Sequence, residues 1–417
     1  MNIDLLNKIL TDNCRNVSFV CHKFNDAACE LNDKDTTLTL KPDLSMKQYQ
    51  SILEKNREIS KVEIIYSFQT NKEILFEIIR KVSRNITHLS LHCEVRESIS
   101  LTDFLQLISL VPCLEYLDCW HVNFNSTKED LQTLSSVQLN LALLKTLDIS
   151  FCGDKFAALL SRLPFGILTE LEIAYMHLPS LTKLLRRQPN IKALTVHECD
   201  GYCDNIFEHL SVKSLTIREN RKRKNLKGLL TQNCIKSLKL ETDAAVFFGM
   251  TNILGNNNFS DLKHLELRFG GEWEKVSQKF TKLDNSRLEF LRISGGSILS
   301  EDLFRALAAS APNLKVLHVN TELLWIIAIS LLKHLNYLES LRLFYVFGEP
   351  DEYLTSKFTA NPNLTDLDIS FHSRDSILLR KIISDFPNLK TLKLREPEHS
   401  DVKLMYTFHR NGNLDGI

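Results

Sequence analysis

Apolar residues recur along this chain in one short pattern, apolar-x-x-apolar-x-apolar. Clear copies are Leu144/Leu147/Ile149, Leu262/Leu265/Leu267, Leu314/Leu317/Val319, Leu338/Leu341/Leu343, Leu364/Leu367/Ile369 and Leu389/Leu392/Leu394. Others centre on Val62/Ile64, Leu89/Leu91, Leu117/Cys119, Leu171/Ile173, Leu194/Val196, Leu215/Ile217, Leu238/Leu240 and Leu291/Ile293, with Leu38/Leu40 a degraded first copy. The closing apolar position falls fifteen times between residues 40 and 394, at intervals of 21 to 30 residues and about 25 on average. An apolar pair separated by one residue predicts a short strand, with the pair facing a core and the residue between them facing the other way. Fifteen such pairs in near-constant phase predict one strand per repeat, stacked in parallel.

Between the strands the apolar spacing turns helical. Ser300 stands before Glu301, Asp302, Leu303, Phe304 and Leu307, which supplies a capping hydroxyl and two acids for the first turn. Ser45 with Gln48 and Thr127 with Asp130 mark two further helix starts. The return segments end at Pro112, Pro189, Pro312, Pro362 and Pro387, each two residues ahead of an apolar residue that leads into a strand. Proline there blocks helix continuation and biases the chain toward extended structure. Cys152, Cys199 and Asn220 each stand three residues past a closing apolar position. A thiol or amide at that step is expected to turn inward and stack in the core.

Together these features resemble the leucine-rich-repeat family over residues 33 to 395, in the helix-containing form of the ribonuclease-inhibitor or F-box type. The resemblance implies an α/β leucine-rich-repeat solenoid, a horseshoe with parallel strands on the concave face and helices on the convex face. The expected organisation is an N-terminal helical segment over residues 1–31, a solenoid of about 15 repeats over 32–395, and a C-terminal cap over 396–417.

Composition narrows the function classes. Lys+Arg and Asp+Glu both number 51, so no global field favours nucleic acid or an anionic membrane, and charge recognition must be local. Hydrophobic residues make up 44% of the chain, enough for an extended core. The longest apolar run, Leu323 to Leu332, is interrupted by Ser330 and is half the roughly 20 residues that a membrane crossing takes, and Leu323 to Ile329 is expected to bury a repeat helix. The N-terminus lacks a basic stretch followed by an unbroken apolar one, so the expected location is cytoplasmic, nuclear or both. In a reducing compartment the ten cysteines read as small buried apolar side chains, and the Asn-x-Ser/Thr sequons carry no weight. No phosphate loop, metalloprotease motif or nucleophile elbow is present, and Cys199, Cys203, His197 and His209 lack the spacing of a structural zinc site. The expectation is a non-enzyme with no cofactor and no metal. Gly270-Gly271 and Gly295-Gly296 read as turns, and the basic run Arg221 to Lys224 as a solvated loop or an import signal.

Before the repeats, Leu5, Leu6, Ile9 and Leu10 fall on one helical face. The run Val20-Cys21-His22-Lys23-Phe24-Asn25-Asp26-Ala27-Ala28 resembles the second half of an F-box. That resemblance implies binding of the Skp adaptor of a cullin-based ubiquitin ligase through Leu5, Leu6, Ile9, Leu10, Val20 and Phe24. The same residues also read as a plain helical cap on the open end of the solenoid. Equal phases of stacked strands form rows. The row between the apolar pair carries three neighbouring acids, Asp118, Asp148 and Glu172, and later the basic group Arg292, His318 and Arg342. Later phases add Trp120, Arg268 and Phe344, then Phe151, Tyr175, Phe269, Tyr345 and Phe371. Like charges side by side repel, so folding alone gives no reason to line up three acids. Arginines and aromatics also dominate binding hot spots. These residues are therefore expected to hold a target protein, as in the substrate-recognition subunit of a Skp–cullin–F-box ligase. A leucine-rich-repeat interaction or inhibitor scaffold with no ubiquitin link is the other reading.

Overall fold

The computed structural model describes residues 37–42, 59–67, 70–94, 97–124, 141–163, 165–199, 210–219, 234–242, 261–270, 286–295, 299, 301–335, 337–347, 361–371, 385–395, 406–409 and 413–415. The chain divides into two units, Met1–Ile191 with Cys199–Gly201, and Lys192–Glu198 with Tyr202–Ile417.

The first unit stacks six strands, β1 (Thr37–Leu40), β2 (Lys61–Tyr66), β3 (His88–Cys93), β4 (Tyr116–Trp120), β5 (Thr146–Ser150) and β6 (Glu170–Ala174). Each pairs in parallel with the next, and the register keeps phase: Leu38, Val62, Leu89, Leu117, Leu147 and Leu171 form one inward row. A second inward row runs through Leu40, Ile64, Leu91, Cys119, Ile149 and Ile173, all buried. The return helices are α1 (Lys72–Val82), α2 (Leu101–Ser109), α3 (Asp154–Leu160) and α4 (Leu178–Arg187). Asn71 caps α1 by accepting from the Ile74 amide at 3.2 Å, and Ser100 caps α2 by accepting from the Asp103 amide at 3.0 Å. Phe104 of α2 and Phe156 of α3 are fully buried and meet edge to face at 5.5 Å.

The second unit continues the plan with β7 (Ala193–His197), β8 (Ser214–Glu219), β9 (Ser237–Thr242), β10 (His264–Phe269), β11 (Phe290–Ser294), β12 (Val316–Leu324), β13 (Ser340–Phe347), β14 (Asp366–Phe371) and β15 (Thr391–Arg395). These nine are parallel and again in phase, whereas β16 (Tyr406–His409) pairs antiparallel with β15 and β17 (Asn413–Asp415) antiparallel with β16. That antiparallel pair covers the edge of β15, which would otherwise offer unpaired backbone groups. Its described helices are α5 (Glu301–Ser310) and α6 (Trp325–His334). Each of the fifteen expected apolar pairs lies in one of the fifteen parallel strands, and each unit is an α/β solenoid of the leucine-rich-repeat kind.

At Pro112 and Pro312 a proline-led turn joins a described helix to the next strand as expected. Asn388, in the turn after Pro387, donates its side-chain amide to the Pro362 carbonyl one repeat earlier at 2.7 Å, so successive turns are locked together. The thiols past the strands do turn inward: Cys152 donates to the Cys119 carbonyl at 3.4 Å and Cys199 to the Ile173 carbonyl at 3.6 Å. Burial pushes the Cys152 thiol up to about 12, which keeps it protonated and inert. Asn220, Ser300, Ser45 and Thr127 lie outside the described residues.

One expectation needs correction. The apolar stretch from Leu323 is not all helix: β12 extends to Leu324, and α6 begins at Trp325. After a register shift, Leu323 pairs with Val346 and Leu324 with Phe347, so backbone pairing with β13 holds these two residues in the sheet. Ala328 and Leu331 of the helix are buried, while Ile326 is 56% exposed.

Candidate docking face of the strands

The residue between each apolar pair points away from the helices, and the register sets these residues side by side. In the first unit the row reads Thr39, Glu63, Ser90, Asp118, Asp148 and Glu172. The three acids expected to be neighbours are neighbours, and Glu63 extends the row. His92, one phase along on β3, bridges two of them, with Nε2 3.1 Å from Asp118 Oδ2 and Nδ1 3.4 Å from Glu63 Oε1. The hydrogen bond to Asp118, followed by the charges of Asp118, Glu63 and Asp148, raises the His92 pKa despite burial. Asp148 receives a long 3.4 Å hydrogen bond from Ser150, and burial together with the charges of Glu172 and Asp118 pushes its carboxyl up to about 7. Burial and the row's negative charge together thus favour the protonated form of Asp148.

Beside this row lies a ledge of aromatic side chains. Trp120 is 43% exposed, and Phe151 and Tyr175 are exposed as well. Phe151 stacks on Tyr175 at 3.9 Å and on His121 at 4.6 Å, and Trp120 meets the His92 ring edge-on at 5.5 Å. His121, Phe151 and Tyr175 each follow the last residue of a strand and have left-handed backbones, φ 56°, 54° and 54°. That conformation costs a non-glycine residue about 1–2 kcal/mol. The His121 amide donates to the Ser150 carbonyl at 2.9 Å and the Phe151 amide to the Ala174 carbonyl at 3.0 Å, which offsets part of that cost. In the second unit Glu198 and Gly295 repeat the device, donating to Arg218 and Asn320. Only the fifth of these positions carries the glycine that left-handed backbone favours. The sequence phases pointed to Trp120, Phe151 and Tyr175 but missed His121, whose place in the stack follows from the left-handed turn.

In the second unit the corresponding row is Thr195, Thr216, Lys239, Glu266, Arg292, His318, Arg342, Asp368 and Lys393. Arg292, His318 and Arg342 are adjacent as expected, but their electrostatic states differ. Arg342 Nε lies 3.1 Å from the largely buried Asp368 carboxylate, and its guanidinium sits 5.9 Å from the Phe344 ring centre. Burial, then the charges of Arg342 and Arg292, push His318 down to about 4, so it is neutral at physiological pH. Arg292 and Arg268 are exposed and line a cavity of about 390 Å³ over β9 to β12, with Lys239, Glu241, Glu266 and Asn320.

The segment expected to bind an adaptor, with Leu5, Leu6, Ile9, Leu10, Val20 and Phe24, lies outside the described residues, as does the basic run at 221–224. So do the side chains of Phe269, Tyr345 and Phe371.

No protein-family model matches the chain, and no curated protein matches it. Among solved structures it is similar to an internalin from Listeria monocytogenes, at 12% identity over 78% of this chain and 94% of that one, TM-score 0.36. It is also similar to a leucine-rich-repeat protein from Leptospira interrogans, at 14% identity over 83% and 91%, TM-score 0.38. A protein from Bacteroides fragilis aligns at 14% identity over 76% of both chains, TM-score 0.33.

Proposed function

We propose that this chain is a non-catalytic protein-recognition subunit that docks a partner protein on the outward face of its strands. The observation that carries this reading is the pair of in-phase rows, which place exposed aromatics, acids and arginines side by side over successive repeats. Packing fixes the inward rows and leaves the outward ones free, so runs of like charge and exposed rings there need a cause outside the fold. An array of in-phase side chains of this kind suits a partner with a complementary row of charges and apolar groups.

In the finer form of this proposal the partner is a substrate for ubiquitin transfer, and residues 1–31 hold the Skp adaptor of a cullin-based ligase. The support is the F-box resemblance of Val20 to Ala28 with the apolar face of Leu5, Leu6, Ile9 and Leu10. The chain would then act in the cytoplasm or nucleus, and transfer would be promoted by proximity, since tethering raises the effective concentration of target lysines at the conjugating enzyme. Calorimetry of the full chain against a purified Skp adaptor tests this form. Saturable binding that disappears on deleting residues 1–31, with the thermal unfolding of the repeats unchanged, is the expected result. A folded full-length chain that releases no binding heat leaves the interaction scaffold without a ubiquitin link.

A further inference from the structure

We propose that the cavity over β9 to β12 is an anion site that takes a phosphorylated serine or threonine side chain of a partner segment, gripped by Arg268 and Arg292. The proposal rests on the strand face being the docking surface and names the chemistry recognised there.

Arg268 projects from β10 and Arg292 from the neighbouring β11, where the register pairs Arg268 with Ser294 and Glu266 with Arg292. The two guanidinium groups thus come from adjacent strands, offset by two residues, and both line the same cavity. Both carboxylates of the lining are engaged by other groups. Glu241 is shared between Lys239 Nζ at 3.0 Å and Arg218 Nε at 3.3 Å, and Glu266 lies 3.0 Å from His264 Nε2. Burial alone would raise the Glu241 pKa, but the hydrogen bond from Lys239 and the charges of Lys239, Arg218 and Arg268 hold it below its ordinary value. Arg268 and Arg292 form no ion pair among the described residues.

Charge then selects the ligand. Lys239, Arg268 and Arg292 are three cations in the lining against the two carboxylates of Glu241 and Glu266, and Arg218, outside the lining, adds a fourth through its ion pair with Glu241. A phosphomonoester carries about −1.5 to −2 at neutral pH and three acceptor oxygens, whereas a carboxylate carries one charge and matches one guanidinium fork. Burial first, then the charges of Arg342 and Arg292, depress the pKa of His318, which stands next to Arg292 in the row. The cavity volume of about 390 Å³ lies within the size range of small-ligand sites, and Asn320 adds a carboxamide to its wall.

The test is calorimetry of the full chain in phosphate-free, low-salt buffer, with three probes: inorganic phosphate, an alanine-based peptide with a central phosphoserine, and the same peptide with glutamate. Saturable binding of phosphate and of the phosphoserine peptide is expected, with the glutamate peptide about tenfold weaker or more. Arg268→Gln and Arg292→Gln should each weaken the phosphoserine peptide about tenfold, and the double variant should abolish binding. Arg305→Gln, on the exposed side of α5, should change nothing, and circular dichroism should show every variant folded. The proposal is overturned if neither phosphate nor the phosphoserine peptide binds saturably, if the folded double variant binds as wild type does, or if the glutamate peptide binds equally well. These probes are indifferent to residues 1–31, so the outcome is separable from the adaptor experiment.

Discussion

His92 in the first unit and His318 in the second both sit on the outward strand face, and their environments push them in opposite directions. The Asp118 hydrogen bond and the surrounding carboxylates raise His92, while burial and two arginines drive His318 down to about 4. Yet the inward rows of the two units are interchangeable, leucine and isoleucine or valine in the same phase with the same parallel register. The repeat thus specifies a core and leaves the sign of the outer potential open. One unit uses that freedom for an acidic row beside exposed rings, and the other for arginines around a cavity.

The largest effect should show where the units are alike. Leu147→Asp and Leu341→Asp each place an unpaired carboxylate in a fully buried row, and each should cost several kcal/mol in denaturant unfolding. Near-wild-type stability for either variant would break the equivalence of the two cores.

A smaller effect separates the faces. Burial and the neighbouring acids push Asp148 up to about 7 in the folded chain against 3.8 for the free group, so its ionisation should cost stability fully above pH 7 and nothing below about pH 4. Asp148→Asn should therefore stabilise the protein by about 2 kcal/mol at pH 8, a figure reduced for solvent screening, and by nothing at pH 4. Thermal melts across that range check it, and a pH-independent difference between variant and parent would remove the acidic row's claim to a strong local field.

The subtlest contrast is spectroscopic. His92, raised above 6.5, adds stability at low pH that is lost as pH rises through its folded pKa. His318 adds stability above pH 6.5 that is lost as pH falls toward 4. Proton NMR of the imidazole rings at pH 5.5 should find His92 protonated and His318 neutral. Titration of both at the same pH would erase the difference between the two faces.

Much of the fold was legible in the sequence because burial acts on a local pattern. The spacing of Leu341 and Leu343 alone assigns them to the core, and a repeat of about 25 residues is enough to bring Asp118, Asp148 and Glu172 into one row. Proline-led turns and the inward thiols of Cys152 and Cys199 were readable for the same reason, since each is set by a fixed step from its strand. What the sequence could not decide is which outward charge has a partner. Arg342 and Arg292 occupy the same phase, but among the described residues one meets Asp368 on the next strand and the other meets no carboxylate. Nor could it place the left-handed turns at His121, Phe151 and Tyr175, or keep Leu323 and Leu324 in β12. Inward positions are fixed by the chain's own alternation, whereas outward partners and strand ends are fixed by neighbouring repeats, through backbone bonds and side-chain reach that exist only after the strands have stacked.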